Sequence, residues 1–310
     1  MFRKLLMLLF AASIVGVAEA QVKEEKYYRD IYPDTWVATD DVGRVMPTSD
    51  DAPLKSDKER TVGIFYVTWH TQNLHTGKPY GGDVSRVLAQ DANASRDNDN
   101  PAWGNYGMYH WGEPEWGYFL SQDEYVIRKD MSMLTDAGVD MIIFDVTNAV
   151  LYWDEWEVTL RTMTQMKKEG NKVPKFCFWA FNGNVITVVH QLYDKFYRNP
   201  RYKDLWFYWD GKPLLLYNAT PSVDANVGGG EKNFADYSDE VKEFFTLRNM
   251  WWGYYEWAGK RYVGTEGNWS FGLELNDERV AQMKPEERAA TWKGRYEQIS
   301  VTPAQHPIHT

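Results

Sequence analysis

The chain has 310 residues, a formal net charge of −10 and 25% charged residues. An acidic chain with no basic stripe argues against nucleic acid or anionic lipid as a partner. A single cysteine, Cys177, rules out any internal disulfide, so packing must hold the core. It lies in the apolar run Phe176-Cys177-Phe178-Trp179, which reads as a buried, inert thiol and not as a nucleophile.

Phe2-Arg3-Lys4 begins the chain with positive charge. Leu5 to Val17 is apolar, and Ala18-Glu19-Ala20 is a small-x-small cleavage site. This is the layout of an export signal over residues 1–20, with an apolar run too short to span a bilayer. No cysteine follows for lipid attachment. The expected product is soluble, in a periplasm or outside the cell, with no stable membrane span. Residues 21–60, with Pro33, Pro47 and Pro53, read as an extended N-terminal segment. Residues 61–310 read as one (β/α) domain.

That domain opens on a strand, Thr61 to His70, rich in β-branched and aromatic residues. Residues 71–121 follow as a long loop region with Trp and Tyr in polar, Gly-rich surroundings, as in Tyr109-His110-Trp111-Gly112. A loop of this length is usually functional. Flat aromatic faces with polar edges match the C–H faces and hydroxyl rims of sugars. The spacing predicts helices over 121–138, 154–169, 185–197, 238–247 and 286–293. It predicts strands over 139–146, 175–180, 213–217, 252–257 and 297–301. Asp154 is the expected cap of the second helix, and Asp210-Gly211-Lys212 the turn before the 213–217 strand.

Strand and helix alternate, and several strands are apolar on both faces. This predicts an α/β fold, a (β/α)8 TIM-type barrel. Six strands are found where closure needs eight. Either strands are hidden in 220–285 or the barrel is incomplete at the C-terminus. A doubly wound open sheet fits less well, because no glycine-rich phosphate loop follows the first strand.

In a barrel the active residues sit just after the strands. That rule selects Tyr66, Trp69 and His70, then Asp145 and Asn148, then Trp179 and Asn182, and at the end His306. Asp145 is the sharpest, since a carboxylate after Ile-Ile-Phe must be paired, hydrogen-bonded or functional. Glycoside hydrolysis usually takes two carboxyl groups. Glu113, Glu115, Glu256 and Glu266 could pair with Asp145. Glu256, in Tyr254-Tyr255-Glu256-Trp257, is preferred because aromatic neighbours would raise its pKa, as a general acid needs. Glu266 stands beside Trp269 in Gly264-Thr265-Glu266-Gly267-Asn268-Trp269. Trp111, Glu113, Glu266 and Trp269 complete the expected substrate contacts. No metal or cofactor is expected. Asp91-x-Asn93-x-Ser95 starts like a calcium loop, but Arg96 stands where glycine is required. No HExxH spacing and no Gly-x-Ser-x-Gly elbow occurs.

The strand Gly63 to His70, the stretch Asp136-Ala137-Gly138-Val139-Asp140-Met141-Ile142-Ile143-Phe144-Asp145 and the run Pro174 to Trp179 resemble bacterial proteins of the glycoside hydrolase family 71 and 99-like group. The resemblance covers roughly residues 60–220. It implies a (β/α)8 barrel acting on α-linked glycans such as α-mannosides or α-glucans. It carries Asp145 over as a substrate-site residue. The group's late Glu-Trp-x-Glu-type motif is broken here, because Ala258 and Gly259 follow Glu256-Trp257. The expected function is therefore an exported glycosidase using Asp145 and Glu256. The alternatives are a non-catalytic glycan-binding protein derived from a truncated or degenerate enzyme, and an envelope protein that uses its aromatics for packing alone.

Overall fold

The structure is a computed structural model. It describes residues 39–46, 60–70, 83–97, 99–104, 113–181, 185–217, 237–251, 256–257, 260–261, 264–270 and 278–301. The expected export signal, most of the 21–60 segment, Trp111, Asn182 and His306 lie outside the described residues.

The frame is a parallel sheet. β1 (Gly63–Tyr66), β2 (Met141–Val146), β3 (Lys175–Ala180), β5 (Lys212–Tyr217), β6 (Thr246–Trp251) and β9 (Asn268–Ser270) pair in that order and curl into a half-barrel. β4 (Tyr208–Trp209) adds antiparallel to β5. Helices α2 (Glu124–Asp136), α3 (Trp153–Lys168), α4 (Val185–Leu192) and α5 (Asp239–Phe244) fall between the strands. Asp123 starts α2 by accepting from the Tyr125 and Val126 amides. For α3 the cap is Tyr152 and not Asp154, which lies in the first turn where its charge favours the helix dipole. The helix from Val185 stops at Leu192 and continues as a π-turn, Tyr193–Tyr197.

β2 is buried on both faces, and its alternation sorts the core in two. Ile142, Phe144 and Val146 join the layer of Phe176, Phe178 and Leu215 under α3, whose Trp156, Leu160 and Met163 are fully buried. Met141 and Ile143 join the inner layer with Cys177, Trp179, Leu214, Leu216, Met250 and Trp269. Cys177 is fully buried, and burial pushes its thiol pKa well up. It should ignore a bulky disulfide reagent in the folded protein and react as one thiol per chain in urea, which a colorimetric assay would follow.

Several expectations are corrected. Residues 71–121 are not one loop: they include α1 (Val84–Gln90) and short 3-10 turns at Ala92–Arg96 and Pro101–Trp103. In the calcium-like segment Asp91 caps the first of these turns, with Oδ1 accepting from the Asn93 amide at 2.9 Å and Oδ2 from Asn100 Nδ2 at 2.9 Å. The helix expected to reach Leu247 ends at Phe244, and Thr246–Trp251 is strand β6. The 252–257 strand is represented by β7 (Glu256–Trp257), paired antiparallel with β8 (Lys260–Arg261) away from the main sheet. After the short helices α6 (Glu278–Ala281) and α7 (Pro285–Arg288), the expected helix over 286–293 gives way to β10 (Ala290–Trp292). β10 forms an antiparallel hairpin with β11 (Arg295–Gln298), so the last expected strand pairs backwards instead of closing a barrel.

Both hairpin turns use left-handed backbone. Asp210 and Gly211 have φ of 49° and 80°, and Lys293 and Gly294 have 51° and 75°. Two positive φ values in succession match the twist of a two-residue hairpin. A Cβ on Gly211 would meet nothing within 4 Å, so the cost of adding one is purely conformational. Gly211→Ala should cost about 1–2 kcal/mol, read as a lower urea midpoint with unchanged slope.

Candidate functional site

Asp145 stands one residue before the C-terminal end of β2. It alternates with Phe144 and Val146 and therefore belongs to the inner face, level with Trp179 of β3, Leu216 of β5 and Arg248 of β6. It is 1% exposed. One oxygen, Oδ1, accepts from the Thr147 amide at 2.8 Å. Burial raises its pKa; the Thr147 hydroxyl and amide and the Trp69 side chain oppose the shift by hydrogen bonding. The chain then turns sharply. Asn148 Oδ1 accepts from the Val150 amide at 3.0 Å, and Ala149 takes a φ of 58°. A non-glycine residue held there costs of order 1–2 kcal/mol.

Trp69 follows β1, is partly buried and packs against the helix-facing cluster, with its side chain near enough to Asp145 to oppose the rise in its pKa. The other residues of that strand end turn elsewhere. Tyr66 packs edge-on to Phe144 in the helix-facing layer, and its hydroxyl donates to Asp130 Oδ2 on α2 at 2.8 Å. His70 is tied to Ser121 through two hydrogen bonds, one donated by each backbone amide, and its ring meets Phe119 edge-on at 4.9 Å. Burial lowers its pKa. Tyr66 and His70 thus line the β1–α2 side.

Trp179 is fully buried between Phe65, at 5.5 Å, and Phe181, at 6.1 Å. Trp269 is buried and donates through Nε1 to Glu297. Both pack in the inner-layer core. Asn148 and Glu113 are exposed. Glu266 accepts from the Lys293 amide at 3.0 Å and so braces the β10–β11 turn, beside β9 and four strand positions from β2. Glu256 is placed by its backbone, opposite Arg261 in the β7–β8 pair. Asp145 and Trp69 are brought together; Glu113 and Glu266 are not placed beside them.

A cluster at the other side of the inner face escaped the sequence reading. Arg248 donates Nε to Glu297 Oε2 at 2.8 Å and Nη2 to Oε1 at 2.7 Å. Trp209 Nε1 donates to Oε1 at 2.6 Å and Trp269 Nε1 to Oε2 at 2.9 Å. Arg248 also reaches Asp210 at 2.8 Å and lies over the Trp292 ring at 4.2 Å. The two side chains are 4% and 6% exposed. Burial alone would raise the pKa of Glu297, but these donors and the guanidinium charge hold it below the ordinary glutamate value. Each carboxylate oxygen accepts two bonds, so this pair latches the hairpin onto β6 and has little left to offer a ligand.

Among the described residues no cluster of His, Cys, Asp and Glu is placed to hold a metal ion, and no helix is long and apolar enough to cross a membrane. The fold is thus a curled parallel sheet with helices, carrying a desolvated carboxylate near one strand end.

No protein-family model and no curated protein matches the chain. Two solved structures of the GH99 endo-α-mannosidase from Bacteroides thetaiotaomicron are similar to it. One, in complex with bis-tris-propane, has 17% identity, a TM-score of 0.36 and coverage of 62% of this chain and 52% of that one. The other has 16% identity, a TM-score of 0.37 and coverage of 62% and 55%. The chain spans about half the length of these proteins.

Proposed function

We propose that the chain is an exported glycoside hydrolase of the barrel type that cleaves α-linked glycans, α-mannoside or α-glucan, with Asp145 in its active site. The observation that carries this reading is the Asp145 carboxyl: buried at the C-terminal end of an inner strand and raised in pKa by that burial. A carboxyl whose protonated form is favoured by burial suits the donor that protonates a leaving glycosidic oxygen. Trp69 offers an aromatic edge beside it, of the kind a sugar ring packs against. Glu256 is the partner carboxylate in this reading, as base or nucleophile, with Asn148 and Glu113 at the exposed rim. Residues 1–20 serve as the export signal.

Purified protein incubated with α-mannans and α-glucans should release reducing ends. A folded protein that releases none from any of them contradicts the hydrolase. Calorimetric binding of the same glycans without turnover would point instead to a glycan-binding protein on this fold.

A further inference from the structure

A partly enclosed cavity of about 180 Å³ lies between β1, the start of α2 and residues 119–121. A cavity of about 150 Å³ is enough to hold a benzene ring. Its walls are apolar and aromatic: Phe65, Phe119, Val126 and Ile127. Two carboxylates, Asp123 and Asp130, also line it, and no lysine or arginine does so among the described residues.

The two acids are differently employed. Oδ1 of Asp123 answers the start of α2 by accepting from the amides of Tyr125 at 2.9 Å and Val126 at 3.3 Å. Asp130 sits two turns along the same helix, and its oriented oxygen is Oδ2, which accepts from the Tyr66 hydroxyl at 2.8 Å. That hydroxyl is neutral and brings no counter-charge, and burial raises the pKa of Asp130, so a ligand cation would stabilise the ionised carboxylate against that shift. The remaining titratable wall residue, His70, is kept neutral by burial, which lowers its pKa. Among the described residues the cavity thus combines aromatic faces with acid and has no cation in its walls. A ligand cation gains from both, through ring faces and through the carboxylate.

We propose that this cavity binds a small organic cation, a protonated amine carried on a single ring, with Asp130 as its anchor. It is separate from the Asp145 site and does not depend on the hydrolase reading.

Isothermal calorimetry on the full chain at pH 7 would compare benzylamine with benzyl alcohol, which has the same ring and no charge. Benzylamine should bind about tenfold or more tightly than the alcohol. Asp130→Asn keeps an acceptor for Tyr66 and should erase that preference. Leu120→Trp, at the partly exposed mouth, should abolish binding of both. No benzylamine binding, equal affinity for the alcohol, or binding that survives Leu120→Trp would overturn the proposal. Those three outcomes stand even if the Asp130 variant fails to fold.

Discussion

Replacing Arg248 by methionine should cost the protein about 3–5 kcal/mol, because it strands a buried carboxylate without its counter-charge. Arg248 and Glu297 are 4% and 6% exposed and share two bonds. The two tryptophan donors remain in the variant but carry no charge. The double replacement Arg248→Met with Glu297→Leu should recover part of the loss, since neither charge is then buried alone. Urea unfolding of the parent and the two variants measures this; an Arg248→Met midpoint equal to the parent's would contradict it. The pH dependence has a definite sign. The folded pKa of Glu297 lies below its ordinary value of 4.5. Its contribution is therefore fully present above about 4.5 and is lost as pH falls through the lowered folded value. Glu297→Gln should flatten the acid limb of stability against pH.

Asp145→Asn should do the reverse: remove activity and leave the fold intact. Loss of a proton donor lowers turnover by about 10²–10⁴-fold. Stability should change by no more than about 1 kcal/mol, because two effects oppose each other. The amide weakens the hydrogen bonding to Thr147 or Trp69, yet it no longer needs to bury a charge. The folded pKa of Asp145 lies above its ordinary value of 3.8. Ionised Asp145 therefore penalises the folded state once pH rises through that folded pKa, and the penalty disappears below about 3.8. The stability difference between variant and parent should move in the variant's favour as pH rises across this window. Parallel measurement of glycan hydrolysis and urea midpoints would separate this from damage to the core. A variant that keeps its activity would remove Asp145 from the chemistry, and one that loses more than a few kcal/mol of stability would contradict the balance of effects described for the fold.

How much of this was legible in the sequence depended on how residues sit in the pleat. β2 and β3 are apolar on both faces, and their bounds follow from composition alone: Lys175–Ala180 is placed as expected. The 213–217 strand was marked by its turn, which the φ values of Asp210 and Gly211 explain. β6 was hidden because Thr246-Leu247-Arg248-Asn249 puts a charged residue on a buried face. Only the later Glu297 justifies that arginine, and it stands 49 residues away. The same pair concealed the hairpin, since Glu286-Glu287-Arg288-Ala289-Ala290 has helical propensity that the Lys293-Gly294 turn and the latch override. Asp145 and Trp69 were singled out by the rule that chemistry follows strands, and the structure puts them near each other at the ends of neighbouring strands. Tyr66 meets the same rule, but its hydroxyl binds Asp130 on α2. Trp179 and Trp269 look like platforms in sequence but fill the inner layer, which the half-barrel packs with its own aromatics.

The Asp145 carboxyl can be watched directly by ¹³C NMR, with its resonance assigned by its absence in Asp145→Asn. It should titrate above the ordinary aspartate range, and it should shift when an α-linked manno- or gluco-oligosaccharide is added. A resonance that titrates normally and does not move with any such glycan would contradict the placing of Asp145 in a glycan site.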